Sequence, residues 1–212
     1  MQSTQWTNPL RRATAVAVLA LIPAVQAAAQ SNPSPNANRW ARATSIGVYT
    51  GAASNAGDTR IAVGGTAAWD LSRWCAVEAR GDWFDRTAGA QAFGATINAL
   101  VNLVPRQTVT PFAAAGFGLH HTSFDTSRAV MPGFYQHRLA NSSNAVAPAV
   151  QTFTDTAFYF ATGVDLLASR HLALRPEVGV VVVRGGGQTD TVGTFGVRVA
   201  YRFERHLITP TR

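Results

Sequence analysis

The chain has 212 residues, of which 47% are hydrophobic and 14% charged, and Cys75 is its single cysteine. A lone cysteine excludes a fold held by internal disulfides and a cysteine-based metal site. The 18 basic residues are all arginine and outnumber 11 acidic residues, but they form none of the stripes typical of nucleic-acid binding, so we expect no such partner.

Residues 1–29 have the pattern of a cleaved signal peptide. Arg11 and Arg12 precede an apolar run, and Ala27 and Ala29 supply the small residues that a signal peptidase requires. The run is shorter than the roughly 20 apolar residues of a membrane-spanning helix. We expect cleavage after Ala29, with Ala27 as the alternative, and therefore exclude this segment from the fold.

The remainder of the chain shows the period-two alternation of β-strands, bounded by Gly, Asn, Asp and Pro. A mature chain without an apolar helix enters a membrane only as a closed barrel, because every backbone polar group must then be paired. Eight strands of suitable length are predicted. They are 44–54, 60–70, 75–84, 92–103, 109–122, 156–167, 172–184 and 191–203.

The final strand separates its two faces most clearly. Phe195, Val199 and Phe203 alternate with Arg198 and Arg202, which predicts a lipid-facing apolar surface and a narrow polar lumen. A soluble barrel would place its apolar side chains inside instead. The same parity directs eight charged residues inward, and we expect them to form an ion-paired plug: Glu78, Arg80, Asp82, Asp165, Arg175, Glu177, Arg198 and Arg202.

The connections predict the orientation. Short links follow the second, fourth and sixth strands, whereas the longest connection, 123–155, lies at the other end. The prediction is an all-β, eight-stranded antiparallel up-and-down transmembrane β-barrel over 43–203, with short periplasmic turns and longer outer loops. Residues 30–42 would form a periplasmic N-terminal segment and 204–212 a periplasmic tail. An aromatic girdle is expected at the periplasmic end from Trp40, Trp69, Trp74 and Tyr201.

Arginines with few neighbouring acids cluster at the same predicted end. We expect this rim to bind the headgroups of anionic phospholipids, at about 1 kcal/mol per residue near the membrane surface; ordinary solubilising charge is the alternative. The rim arginines are Arg39, Arg42, Arg73, Arg106, Arg170, Arg205 and Arg212. An approximate repeat also begins at Asp70 and again at Asp165, each time running through a turn into a strand with inward charges.

Three segments resemble the OmpA/OmpX-like outer-membrane β-barrel domain family: Thr110–Leu119, Arg170–Glu177 and Phe195–Phe203. The resemblance covers residues 43–203 and implies a location in the outer membrane of a Gram-negative bacterium. It also implies that Tyr201 and Phe203 form the signal read by the outer-membrane assembly machinery. Outer-membrane lipids would be the other partner, and we expect a monomer. Family barrels often stop at this phenylalanine, whereas this chain continues to Arg212.

His121 and Ser123 form the most enzyme-like pair, because they resemble the histidine-x-serine pair of outer-membrane lipid A deacylases. A serine hydrolase also needs an acid that orients the histidine, and Phe124 and Asp125 stand where the family has other residues. His120 and His121 are adjacent on a strand and point to opposite faces, which argues against a shared metal. We therefore expect no enzyme, cofactor or metal.

The sequence predicts an outer-membrane barrel with a structural or interaction role and limited passive passage of small solutes. A lipid A-modifying enzyme and a loop-mediated adhesin are the two alternatives.

Overall fold

The computed structural model describes residues 43–55, 58–87, 90–128, 131–140, 149–169 and 171–204. The expected signal peptide, the segment 30–42 and residues 205–212 of the expected tail lie outside these ranges. The elements are β1 Ala43–Asn55, β2 Asp58–Asp70, β3 Cys75–Thr87, β4 Ala90–Asn102, β5 Val109–Asp125, α1 Gly133–Ala140, β6 Val150–Leu167, β7 Leu172–Gly185 and β8 Gln188–Glu204.

The strands close into one barrel in chain order. Each strand pairs antiparallel with the next, and β8 pairs with β1 through Tyr49 opposite Arg198 and Gly51 opposite Gly196. Closure leaves no strand edge unpaired, which is the condition for crossing hydrocarbon as a sheet. The predicted eight-stranded antiparallel up-and-down barrel is confirmed.

The largest departure from the predicted elements lies between β5 and β6. Both strands extend further than the alternation indicated, so the connection predicted at 123–155 shortens to 126–149. It contains α1, an eight-residue helix that the sequence analysis did not predict. So short a helix is marginal by itself and depends on tertiary contacts.

The two ends of the barrel differ in their connections. We call the end with the β2–β3, β4–β5 and β6–β7 connections the turn end, and the opposite end the loop end. At the loop end, two residues join β1 to β2, β3 to β4 and β7 to β8, so only the β5–β6 connection is longer than the turns. Gly186 and Gly187 have φ of 58° and 78°, as a two-residue type I′ hairpin requires.

The outward face is an apolar belt. Val48, Ile97 and Phe117 are 67%, 58% and 64% exposed, values that fit a surface covered by lipid. Within the described residues, no helix is long and apolar enough to span a membrane. Trp40 of the expected girdle lies outside the described residues. At the turn end the surface carries exposed aromatic side chains: Trp69, Trp74, Tyr201 and Phe203.

The inward face of the barrel is crowded in the described structure. Gly116 and Gly118 point inward on β5, and a Cβ at Gly118 would lie 1.8 Å from the carbonyl oxygen of Ala95. Only glycine permits this approach of two strands. Charged side chains occupy the lumen from the turn end to its middle. A cluster of buried apolar residues, among them Tyr49, Phe84 and Val183, also faces inward.

Candidate functional site: the charged lumen

The lumen contains the eight charged residues that strand parity directed inward. Each is at most 7% exposed. Asp70 and Arg106 join them, with side chains 6% and 7% exposed. The structure therefore brings together five acids and five arginines: Asp70, Glu78, Asp82, Asp165 and Glu177 with Arg80, Arg106, Arg175, Arg198 and Arg202.

These ten side chains form one continuous series in which the sign of the charge alternates. We call this series the lumen network. Nine ion pairs connect it without a gap, from β3 in the middle of the barrel to the turn end. The order is Asp82, Arg80, Glu177, Arg198, Glu78, Arg175, Asp165, Arg106, Asp70 and Arg202.

Glu78 lies at the centre of the network and bridges opposite walls of the barrel. Arg175 and Arg198 are directly opposite each other on β7 and β8, a like-charge arrangement that is unfavourable alone. Glu78 Oε2 accepts hydrogen bonds from both guanidinium groups, from Arg175 Nη1 at 3.1 Å and from Arg198 Nη1. Because β3 does not pair with either strand, these bonds connect walls that the sheet leaves separate.

Arg80 makes the second connection across the lumen. Its guanidinium group donates to Glu177 Oε1 on β7 and to Asp82 on its own strand. It also lies over two aromatic rings, 4.3 Å from the ring centroid of Tyr49 and 4.7 Å from that of Tyr159. The Tyr159 hydroxyl donates to Glu177 at 3.1 Å. Cation–π contacts and charge-assisted hydrogen bonds thus replace water around this buried charge.

Contacts at the turn end show that the prediction of an exposed arginine rim was wrong for Arg106. Arg106 was expected among exposed cations, but its guanidinium group donates to Asp70 and, at 2.6 Å, to Asp165. Arg106 therefore belongs to the lumen network and is not available to phospholipid headgroups. Arg73 is exposed and lies 5.9 Å from the ring centroid of Trp74. Arg39, Arg42, Arg170, Arg205 and Arg212 lie outside the described residues.

At the loop end, α1 packs against the inner wall of the barrel. Tyr135 is fully buried between Phe124 of β5 and Phe153 of β6, with both ring centroids at 4.9 Å. Its hydroxyl lies 3.0 Å from that of Thr122. Arg138 forms an ion pair with Asp155. The helix is thereby fixed to the inner wall, and its Phe134 packs against the buried apolar cluster.

The enzyme-like pair lies on the outside of the barrel. His120 is 1% exposed and faces inward, whereas His121 and Ser123 share the outward parity of β5. His121 Nδ1 lies 2.9 Å from Thr154 Oγ1, and the nearby carboxylate of Asp125 accepts from Ser127. Among the described side chains, His121 thus has a hydroxyl as its hydrogen-bond partner where a hydrolase would place an acid.

In the described part of the chain, no three His, Cys, Asp or Glu residues are grouped as metal ligands.

A closed barrel with an apolar exterior and a charged interior defines the class of outer-membrane β-barrels. The family model for the outer membrane protein beta-barrel domain matches residues 14–203. The chain belongs to this family, and its location is the cell outer membrane.

Among solved structures, Neisserial surface protein A has a TM-score of 0.56 at 11% identity, with 76% of this chain and 97% of that chain covered. The N-terminal barrel of Pseudomonas aeruginosa OprF has a TM-score of 0.49 at 11% identity, with 75% of this chain and 97% of that chain covered. Ail of Yersinia pestis has a TM-score of 0.47 at 10% identity, with 78% of this chain and 100% of that chain covered. The similarity to Neisserial surface protein A supports the fold alone. No curated protein sequence matches the chain.

Sequence reasoning missed four contributors to the site. Asp70 has the inward parity of β2 and begins the approximate repeat, so strand parity could have predicted its place in the lumen. Arg106 lies in a turn, where no periodicity applies. Tyr49 and Tyr159 also have inward parity, but only the folded arrangement shows that they face Arg80.

Proposed function

We propose that this protein is a structural and interaction barrel of the outer membrane whose lumen is sealed against ion flow. The observation that carries the proposal is the unbroken lumen network, which crosses the lumen from β3 to β7 and β8. Passive passage is then limited to solutes small enough to move between packed side chains.

The physical argument rests on the cost of buried charge. An eight-stranded barrel encloses little more than its own side chains. Buried ions in so narrow a space are tolerable only when paired, and alternation of sign gives every arginine of the network at least one carboxylate. Opening a pore through the network would separate several pairs at once, so the sealed state is favoured.

The interaction role is assigned to the loop end. There, three connections are two-residue hairpins, whereas the β5–β6 connection presents α1 with Gln136 and His137 exposed. Tyr135 and Arg138 fix this helix to the barrel wall. A fixed element loses less conformational entropy on binding than a free loop. The adhesin alternative uses the same surface, and deletion of residues 129–148 followed by a host-surface binding assay tests it.

Conductance in planar bilayers tests the seal. Wild type should conduct little, whereas Glu177→Gln should raise ion conductance because Arg80 and Arg198 each lose a carboxylate. Asp125→Asn is the matched control, since this carboxylate lies at the loop end and bonds Ser127. Large steady conductance in wild type, unchanged by Glu177→Gln, would contradict the seal and favour a simple pore.

A further inference from the structure

The membrane-facing surface of the barrel contains a groove with a volume of about 590 Å³. It lies over β1, β2 and β3, and its flanks are formed by β8 and β4. Apolar side chains dominate the lining, which consists of Val48, Tyr49, Thr50, Val63, Gly64, Gly81, Trp83, Phe93, Val197 and Val199.

Two outward-facing glycines lie beneath this surface. Gly81 lines the groove, and Gly65 is the partner on β2 of the lining residue Val48. Gly65 and Gly81 are directly paired across β2 and β3. A Cβ at Gly65 would meet only the Gly47 carbonyl oxygen, at 3.9 Å, and a Cβ at Gly81 would meet the Phe93 ring at 3.6 Å. Both are ordinary van der Waals distances. In contrast to Gly118, these two positions are not required to be glycine by close approach of the backbone.

Glycine inside a strand weakens it, because the residue adds conformational entropy to the unfolded chain and packs no side chain. Two paired glycines without a backbone requirement therefore point to a use for the space above them. Large side chains border that space: Trp83 and Phe93 form a cross-strand pair and are 39% and 49% exposed. The result is a concave apolar site with aromatic and branched aliphatic walls.

We propose that this groove binds one acyl chain of a bilayer phospholipid. Its position on the outward face of an outer-membrane barrel places it in hydrocarbon, and its volume lies within the range of about 300 to 1,000 Å³ typical of small-molecule sites. A flexible chain follows the floor while its methylene groups contact Val48, Val63 and Trp83. Thr50 also lines the groove. The inference is independent of the sealed lumen.

A second copy of the protein fits this surface less well. A symmetric dimer uses the same patch on both subunits, so an axis through the groove would place one concave surface against another. The space over Gly81 and the neighbouring Gly65 would remain unfilled, and voids forfeit dispersion contacts. A slender acyl chain fills the same space without that loss.

Native mass spectrometry of the full-length protein, released from micelles containing phosphatidylethanolamine, tests the proposal. We expect a complex with one lipid to survive activation that removes the other lipids. Gly65→Leu and Gly81→Leu should each reduce this complex roughly threefold or more, equivalent to about 0.7 kcal/mol. Gly193→Leu is the matched control, because Gly193 also faces outward with only the Ser54 carbonyl oxygen, at 3.7 Å, near its Cβ position.

Heat-modifiability gels confirm that each variant is folded before comparison. Photo-cross-linking by phosphatidylethanolamine with a diazirine in its acyl chain should label the segment from Gly81 to Phe93, and Gly81→Leu should abolish that label. Equal lipid retention in all three variants, or label spread evenly around the barrel, would overturn the proposal. So would a dimer that disappears in the two groove variants while lipid retention stays constant.

Discussion

Replacement of Glu78 by glutamine tests whether the lumen network stabilises the barrel through charge. The change conserves shape and one acceptor oxygen, but removes the negative charge between Arg175 and Arg198. Those two arginines remain directly opposite each other on β7 and β8. Each keeps a second carboxylate, Asp165 for Arg175 and Glu177 for Arg198.

The size of the effect follows from these remaining partners. Removing one member of a buried ion pair typically costs about 3 to 5 kcal/mol. Because neither arginine is left without a carboxylate, we expect the lower end, about 3 kcal/mol. Asp82→Asn should cost less, about 1 to 2 kcal/mol, because Asp82 ends the network and Arg80 keeps Glu177 and Tyr159.

Equilibrium unfolding in guanidinium chloride, with the protein in phospholipid vesicles and tryptophan fluorescence as the probe, measures both free energies. An unchanged m-value shows that the variants unfold from the same folded state. The double variant Glu78→Gln with Arg198→Gln should be less destabilised than the sum of its single changes, since it restores charge balance. The reasoning is refuted if Glu78→Gln costs no more than Asp82→Asn, or if the two single effects add.

Three further predictions concern other parts of the barrel. Arg106→Gln should lower the free energy of unfolding by about 3 kcal/mol and Arg73→Gln by under about 0.5 kcal/mol, because only Arg106 is buried in ion pairs; equal losses in unfolding experiments would contradict this. Gly118→Ala should prevent heat-resistant folding on gels, whereas Gly65→Ala should fold normally, since only the Cβ at position 118 would clash with a backbone atom. Phe203→Ser should lower the outer-membrane yield measured by cell fractionation more than Leu207→Ser does; equal yields would count against a terminal signal at Phe203.

The sequence was most informative where strand parity applies. Alternation of apolar and charged residues in β8 predicted which side chains enter the lumen, because successive residues of a strand point to opposite faces. The same rule predicted that His120 and His121 point to opposite faces of β5. It did not apply to Arg106 in a turn, nor to α1, whose eight residues carry too little pattern to distinguish them from a loop.

Loop length was the weaker guide. The chain between predicted strands appeared variable at the loop end, yet β1–β2, β3–β4 and β7–β8 continue pairing to two-residue hairpins. Strand residues beyond the apolar belt lack strict alternation because they no longer face lipid, and only backbone hydrogen bonding shows that they belong to the sheet.

By itself, the sequence determined the class of fold, the number of strands and the inward or outward direction of their side chains, since these depend on local periodicity. Only the tertiary structure decided which charges meet. The arginine partners of Glu78 lie 97 and 120 residues away, and pairing across a closed barrel depends on how the strands are staggered. The tertiary structure also decided the groove over Gly81, because the groove depends on which outward side chains become neighbours when five strands curve together.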